Sequence, residues 1–223
     1  MATLYSSLFI PLLMFFTSCQ QNSSEQLSTE QEISYTLSAD TTGLAKATFA
    51  GGCFWCTEAY FERLVGVEAV ISGYSGGLEK NPTYKQVSAG LTGHAEAVQV
   101  YYHPEKISYQ ELVEVFFATH DPTTLNRQGP DVGKQYRSIV FYRTPEEKNI
   151  ATKYISRLSA SGKYKNKVVT TVEPLKRFWQ AEAYHQDYYE RNPSDPYVVS
   201  IARPKVKKFE TNYKAKLKPQ FRK

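Results

Sequence analysis

The chain has 223 residues, 41% hydrophobic and 22% charged, and carries a net charge of +5. Those proportions exclude a chain too polar or too short to bury a core, and suit one globular domain with extensions. The charge is uneven: Arg203 to Lys223 holds nine Lys/Arg against Glu210 alone. No nucleic-acid motif accompanies this stretch, so a solvated terminal arm is expected and no nucleic-acid partner.

Leu8 to Phe16 is apolar but shorter than the ~20 residues that span a bilayer, and reads as the core of a signal peptide over 1–18. The following Thr17-Ser18-Cys19 resembles the lipobox of bacterial lipoproteins, in which the cysteine is lipidated. Residues 19–45 then turn to Gln, Ser, Thr and Glu, as in a flexible tether. A folded domain is expected over 46–208, with a basic tail over 209–223.

Within the domain, Lys46 to Ala50 predicts a strand, Cys56 to Leu64 a helix and Val67 to Gly73 a second strand. Ser75 to Gly93 is rich in glycine and proline and reads as a long loop, a kind that is usually functional. Glu96 to Tyr102 is a third strand. Ser108 and Glu111 form a capping box for a helix that Asp121-Pro122 stops. Gln135 to Tyr142 predicts a fourth strand, Thr144-Pro145 opens a helix, Val168 to Glu173 is a further strand, and Trp179 to Glu190 a helix. The first six elements run strand, helix, strand, strand, helix, strand. That is the split β-α-β, ferredoxin-like order, and it implies an α+β two-layer sandwich with helices on a mixed sheet.

Gly51-Gly52-Cys53 places a thiol at a strand-to-helix junction, where unpaired N–H groups and the peptide dipoles favour a thiolate. An exposed helix end is worth roughly 0.3–1 kcal/mol, less than the about 1.36 kcal/mol of one pKa unit. Cys53 therefore needs either a nearby cation or a substrate activated by an acid. Glu96 shares a strand face with Val98, Val100 and Tyr102. If that face is buried, desolvation keeps the carboxyl protonated and able to donate; otherwise Glu96 is an edge carboxylate. Taken alone, Asp131 reads as a turn residue, Tyr84 as a loop aromatic and Tyr136 as a strand aromatic.

Gly52-Cys53-Phe54-Trp55, Asn81-Pro82-Thr83-Tyr84, Thr92-Gly93-His94-Ala95-Glu96-Ala97-Val98, His120-Asp121-Pro122-Thr123, Asp131-Val132-Gly133-Lys134-Gln135-Tyr136-Arg137-Ser138 and Phe178-Trp179-Gln180-Ala181-Glu182-Ala183-Tyr184-His185-Gln186 closely resemble motifs of the peptide methionine sulfoxide reductase A family. The resemblance implies that Cys53 attacks the sulfoxide sulfur while Glu96 supplies a proton to its oxygen. It implies that Tyr84 and Tyr136 hydrogen-bond that oxygen, and that Asp131 orders the polar side of the pocket. Phe54 and Trp55 match the apolar wall for the S-methyl group, and His185 and Tyr188 fall at pocket positions. The family reduces the S epimer, free or in proteins, with no bound cofactor.

Such a reaction leaves a sulfenic acid on Cys53 that must be resolved. No cysteine follows Cys56, which lies one helical turn on and can face Cys53. Cys56 is expected to form a disulfide with Cys53 that a thioredoxin-like dithiol reopens; the alternative is a packed Cys56 and direct attack by the reductant. A general thiol–disulfide oxidoreductase would explain Cys-x-x-Cys but not Glu96, Tyr84 and Tyr136. A zinc module lacks ligand spacing, so no metal is expected. With Cys19 lipidated, the protein would be a monomer anchored in the bacterial envelope, facing the periplasm or exterior and repairing oxidised proteins.

Overall fold

The computed structural model describes Met1 and residues 42–222; the expected signal segment, Cys19 and nearly all of the tether lie outside the described residues. In chain order the elements are β1 (Ala45–Ala50), α1 (Phe54–Glu62), β2 (Val67–Ser75), α2 (Tyr84–Ser88), β3 (Ala95–Tyr102), α3 (Tyr109–Thr119), a hairpin of β4 (Arg127–Gln128) and β5 (Asp131–Val132), β6 (Ile139–Tyr142), α4 (Pro145–Ala160), β7 (Thr171–Pro174), β8 (Phe178–Gln180), α5 (Tyr188–Arg191) and α6 (Arg203–Tyr213).

The main sheet runs β7-β6-β1-β3-β2-β8. Its four inner strands pair antiparallel, which is the ferredoxin-like arrangement expected of the split β-α-β order. β7 joins β6 in parallel and makes the sheet mixed, while β8 lies antiparallel on the opposite edge. Helices α1 and α3 cover one face: Phe49 of β1 stacks on Phe61 at 5.2 Å and on Phe116 at 5.0 Å. Val98, Val100 and Tyr102 point to this same core. Ala50, Ala95, Ala97, Ile139 and Phe141 form a smaller cluster, against which Leu175 and Phe178 pack. The period of two along β1 and β3 thus separates two buried faces.

Local signals set several element starts. Ser108 and Glu111 cap α3 reciprocally, and Thr144 accepts the Glu147 N–H at the start of α4, with Pro145 in the first turn. Thr83 and Gln86 form another capping box, so the expected long loop contains the short helix α2. The strand expected over Gln135 to Tyr142 begins only at Ile139, because a 3₁₀ turn at Lys134–Tyr136 comes first. Gln135 is drawn out of the strand by donating to the Ser88 carbonyl (2.9 Å). The strand expected at Val168 starts at Thr171.

The helix expected over Trp179 to Glu190 does not form. Phe178–Gln180 instead pairs with the edge of β2, opposite Gly73 to Ser75. Gly73 makes this possible, since an added Cβ would run into the Trp179 carbonyl and the Phe178 ring. Gln186 extends the attachment: its side chain accepts the Ser72 N–H at 2.9 Å and donates to the Ser72 carbonyl at 3.0 Å. Local apolar periodicity cannot foresee such a tertiary partner.

The solvated arm expected from Arg203 onward is also absent. Those residues form α6 and two further turns, and the expected boundary between 208 and 209 falls inside the helix. Phe209 packs on Tyr60 of α1 at 5.2 Å, and Leu217 is fully buried. Backbone bonds from Val65 N–H to the Lys216 carbonyl (2.9 Å) and from Lys218 N–H to the Arg63 carbonyl (2.8 Å) fasten this segment to the end of α1. The lysines lie on the outside of an apolar seam, which composition alone conceals.

Candidate active site

The site begins where β1 gives way to α1. Gly52 turns the chain at φ +97°, and the Gln128 side chain occupies the space its Cβ would need. Cys53 then takes the N-cap position, and its carbonyl accepts the Thr57 N–H at 3.3 Å. Its side chain makes no capping bond; the Phe54 N–H instead donates to Glu96 Oε2 at 3.1 Å. This bond draws the Glu96 carboxyl from β3 to the helix start beside the thiol.

Glu96 is only 2% exposed and lies on the face that packs under α1, which settles the question its periodicity left open. Burial holds its pKa well above the carboxylate range, the charges of Cys53 and Asp131 push the same way, and the Phe54 N–H opposes them. Burial thus favours the protonated form of Glu96, the form able to donate.

Cys53 and Cys56 are both free and buried, one turn apart. Burial raises the Cys53 thiol, the bond and charge of Cys56 add to this, and a hydrogen bond from Tyr197 works against it. Cys56 is lowered, first by the hydrogen bond from Cys53 and then by the charge of Lys205, against burial. The two sulfurs titrate as a pair in which loss of one proton discourages loss of the second. Of the two routes open to Cys53, a cation or an acid, its immediate surroundings supply the acid.

The two phenols converge on the same point. Tyr84 and Tyr136 are half-buried and each lies close enough to feel the charges of Glu96 and Cys53. Burial raises Tyr84 to about 12 and raises Tyr136 as well, so both remain hydroxyl donors. Glu182 holds Tyr84 in place, accepting its N–H at 2.8 Å through one oxygen and the Tyr74 hydroxyl at 2.8 Å through the other.

The apolar side is an aromatic cluster. Phe54 packs against Tyr84 (6.4 Å) and His185 (5.1 Å), and Tyr188 stacks on Trp55 at 3.7 Å and 8°. The Trp55 indole N–H donates to His185 Nδ1 at 3.1 Å, which places the imidazole proton on Nε2. Burial lowers His185 to about 4, so it stays neutral.

Asp131 of β5 is half-buried and accepts the Tyr197 hydroxyl at 2.8 Å. Every candidate residue among the described ones thus gathers at one end of the sheet: Cys53, Cys56, Phe54 and Trp55 from α1, Glu96 from β3, Tyr84 from α2, and Tyr136, Asp131, His185 and Tyr188 from connecting segments. Sequence reasoning missed Tyr197, Glu182 and Asp195. Glu182 sits inside a recognised motif, but nothing marks it as the anchor of Tyr84. Asp195 accepts the N–H groups of Tyr197 (2.9 Å) and Val198 (3.1 Å), a turn legible from Asp195-Pro196. That the Tyr197 hydroxyl returns to Asp131 is a tertiary fact with no local signal.

A buried thiol pair at a helix start, with a buried carboxyl and phenol donors near it, sits on an α+β sandwich of the oxidoreductase class. The family model for peptide methionine sulfoxide reductase matches residues 45–217. A peptide methionine sulfoxide reductase MsrA of Haloquadratum walsbyi is 58% identical over 171 residues, covering 77% of this chain and 97% of the relative. An MsrA 1 of Rhodopirellula baltica is 55% identical over 172 residues, covering 77% and 88%. Among solved structures, reduced Mxr1 of Saccharomyces cerevisiae aligns with a TM-score of 0.64 and 37% identity over 72% of this chain and 92% of that one. Methionine sulfoxide reductase A of Corynebacterium diphtheriae aligns with a TM-score of 0.61 and 34% identity, covering 68% and 76%.

The chain belongs to the peptide methionine sulfoxide reductase A family. It is an oxidoreductase that reduces methionine sulfoxide and so repairs oxidised protein, as the motif resemblance implied.

Proposed function

We propose that the enzyme reduces the S epimer of methionine sulfoxide, free or in proteins, with Cys53 as nucleophile and Glu96 as general acid. The observation that carries this is the buried Glu96 carboxyl, held by the Phe54 N–H at the helix that begins beside Cys53, where burial favours its protonated form. Glu96 gives its proton to the sulfoxide oxygen, which makes the sulfur more electrophilic, so a thiol whose own pKa is not depressed suffices. Tyr84 and Tyr136 hydrogen-bond the oxygen, Asp131 orders the polar side through Tyr197, and Phe54 and Trp55, backed by His185 and Tyr188, receive the methyl group. Methionine leaves, and Cys53 retains the oxygen as a sulfenic acid.

Cys56 then condenses with that sulfenic acid, releasing water and forming a disulfide that a thioredoxin-like dithiol reduces. Their burial one helical turn apart at the start of α1 supports this pairing. The lipobox-like Thr17-Ser18-Cys19 supports anchoring in the envelope through Cys19. Radiolabelled palmitate incorporated by wild-type protein but not by Cys19→Ala would bear out the anchor; equal soluble recovery of both would remove it. The test of the reaction is consumption of each epimer with dithiothreitol, alongside Cys53→Ser. Loss of the S epimer alone, abolished in the variant, is expected. Turnover by Cys53→Ser, or by wild-type on the R epimer alone, would overturn the assignment.

A further inference from the structure

Cys56 and Tyr60 lie one helical turn apart on α1 and share a face. Tyr60 lines a cleft of about 250 Å³ together with Thr119, Asp121, Gln128, Lys205 and Lys208. Phe209 packs on Tyr60 at 5.2 Å and so sets α6 as one wall. The hairpin wall reaches back to the thiol pair. The Gln128 side chain stands over Gly52, the residue before Cys53, and Lys205 Nζ lies 3.7 Å from the place a Cβ on Gly129 would take.

The cations of this cleft are not neutralised. Lys205 and Lys208, three residues apart on one face of α6, make no ion pair among the described residues. Glu210, the one acid of α6, is taken by Arg63 at 2.9 Å, and Asp121 Oδ1 accepts the N–H and the hydroxyl of Thr123 at 2.9 and 2.7 Å. The sulfoxide side instead carries Glu182, Asp131 and Asp195. A partner that presents carboxylates is thus attracted to the lysine cleft and repelled from the sulfoxide side.

We propose that this cleft is the docking site of the dithiol protein that reopens the Cys53–Cys56 disulfide, with an acidic side chain of the partner seated between Lys205 and Lys208. Anchored there, the partner meets the thiol pair across Gly52. Its thiolate attacks the Cys53 sulfur, a mixed disulfide forms, and Cys56 leaves as a thiolate, which the charge of Lys205 favours. The partner's second thiol then displaces Cys53, so the enzyme gains two electrons and two protons and the partner ends as a disulfide. The inference rests on the reading that Cys56 resolves the sulfenic acid and that a thioredoxin-like dithiol recycles the pair.

The test compares the full chain with Lys208→Glu and Lys207→Glu, measuring methionine formation with either a bacterial thioredoxin of acidic net charge or dithiothreitol as electron source. Lys207 lines a different cleft, with Arg203 and Glu210, so its reversal makes the same change of net charge on another face of α6. In Lys208→Glu the KM for thioredoxin should rise by roughly 10-fold, because a like charge now faces the partner's carboxylate. Lys207→Glu should stay near the wild-type value, added salt should raise the wild-type KM for thioredoxin, and turnover with uncharged dithiothreitol should be the same in all three proteins. A wild-type KM for thioredoxin in Lys208→Glu, an equal rise in Lys207→Glu, or a parallel loss with dithiothreitol overturns the proposal. Wild-type protein that turns over with dithiothreitol but not with thioredoxin overturns the dithiol-protein reading and this inference with it. No methionine from either electron source would instead overturn the reaction assigned to Cys53.

Discussion

Replacing Glu96 by glutamine separates its proton from its place in the fold. The amide oxygen can still accept the Phe54 N–H that the carboxylate accepts at 3.1 Å, and no charge enters a site only 2% exposed. What is lost is the acid. General acid catalysis is worth roughly 10²–10⁴ in rate, so kcat/KM for methionine sulfoxide should fall by at least about 10²-fold, or about 2.7 kcal/mol of transition-state stabilisation. The sign for stability is opposite. A carboxyl whose folded pKa is raised is neutral in the fold while the unfolded chain ionises it, so wild-type stability falls as pH rises from the unfolded value of ~4.3 towards the folded one. Each pH unit in that window costs up to about 1.4 kcal/mol that Glu96→Gln does not lose. Urea unfolding at several pH values should therefore show the variant gaining on wild-type as pH rises, while methionine release with dithiothreitol collapses. A variant that keeps wild-type kcat/KM would refute the acid assignment, and a stability gap that does not change with pH would refute the buried, neutral carboxyl.

Three further outcomes follow from other parts of the molecule. Leu217→Ala empties a fully buried position between the end of the chain and α1, and should cost about 2–5 kcal/mol in denaturant unfolding; a cost below about 0.5 kcal/mol would mean the segment does not pack as described. Glu62 is raised to about 8, by burial first and then by its hydrogen bond with Asp187, so the stability it withdraws grows from pH ~4.3 up to about 8; Glu62→Gln should flatten the pH dependence in that window, and an unchanged slope would contradict it. His185, lowered to about 4 by burial, should resist protonation well below the usual ~6.5. In Trp179→Phe protein, Trp55 fluorescence should accordingly titrate near 4 as His185 Nδ1 stops accepting the indole N–H, and a midpoint near 6.5 would show an exposed imidazole.

The inner sheet and its two covering helices were legible because strand alternation, the Ser108–Glu111 box and Thr144-Pro145 act within a few residues. Cys53 was legible for the same reason, as a thiol at the junction of a strand and a helix. Glu96 was half legible: periodicity put it on a face with Val98 and Val100, but only the position of α1 decided that the face is buried and that Phe54 N–H meets it. Beyond Trp179 local reading failed, because β8 forms by pairing with β2 across Gly73, and the lysine-rich α6 hides Val206 and Phe209 beneath its charges. Tyr197 and Leu217 owe their roles wholly to residues far back in the sequence; composition puts Leu217 in a terminal arm and gives Tyr197 no role.

The late position of Tyr197 and α6 in the chain has a consequence for how the enzyme is made. A growing chain emerges from its N-terminus at about 5–20 residues per second, so Cys53 and Cys56 are outside the ribosome well before the segment that covers them exists. During that interval the two thiols belong to an incomplete fold, with neither the Tyr197 phenol nor the α6 seam around them. A translational pause or a truncation before Tyr197 would release a molecule whose sulfur chemistry lacks its enclosure, open to the oxidants whose damage the finished enzyme reverses.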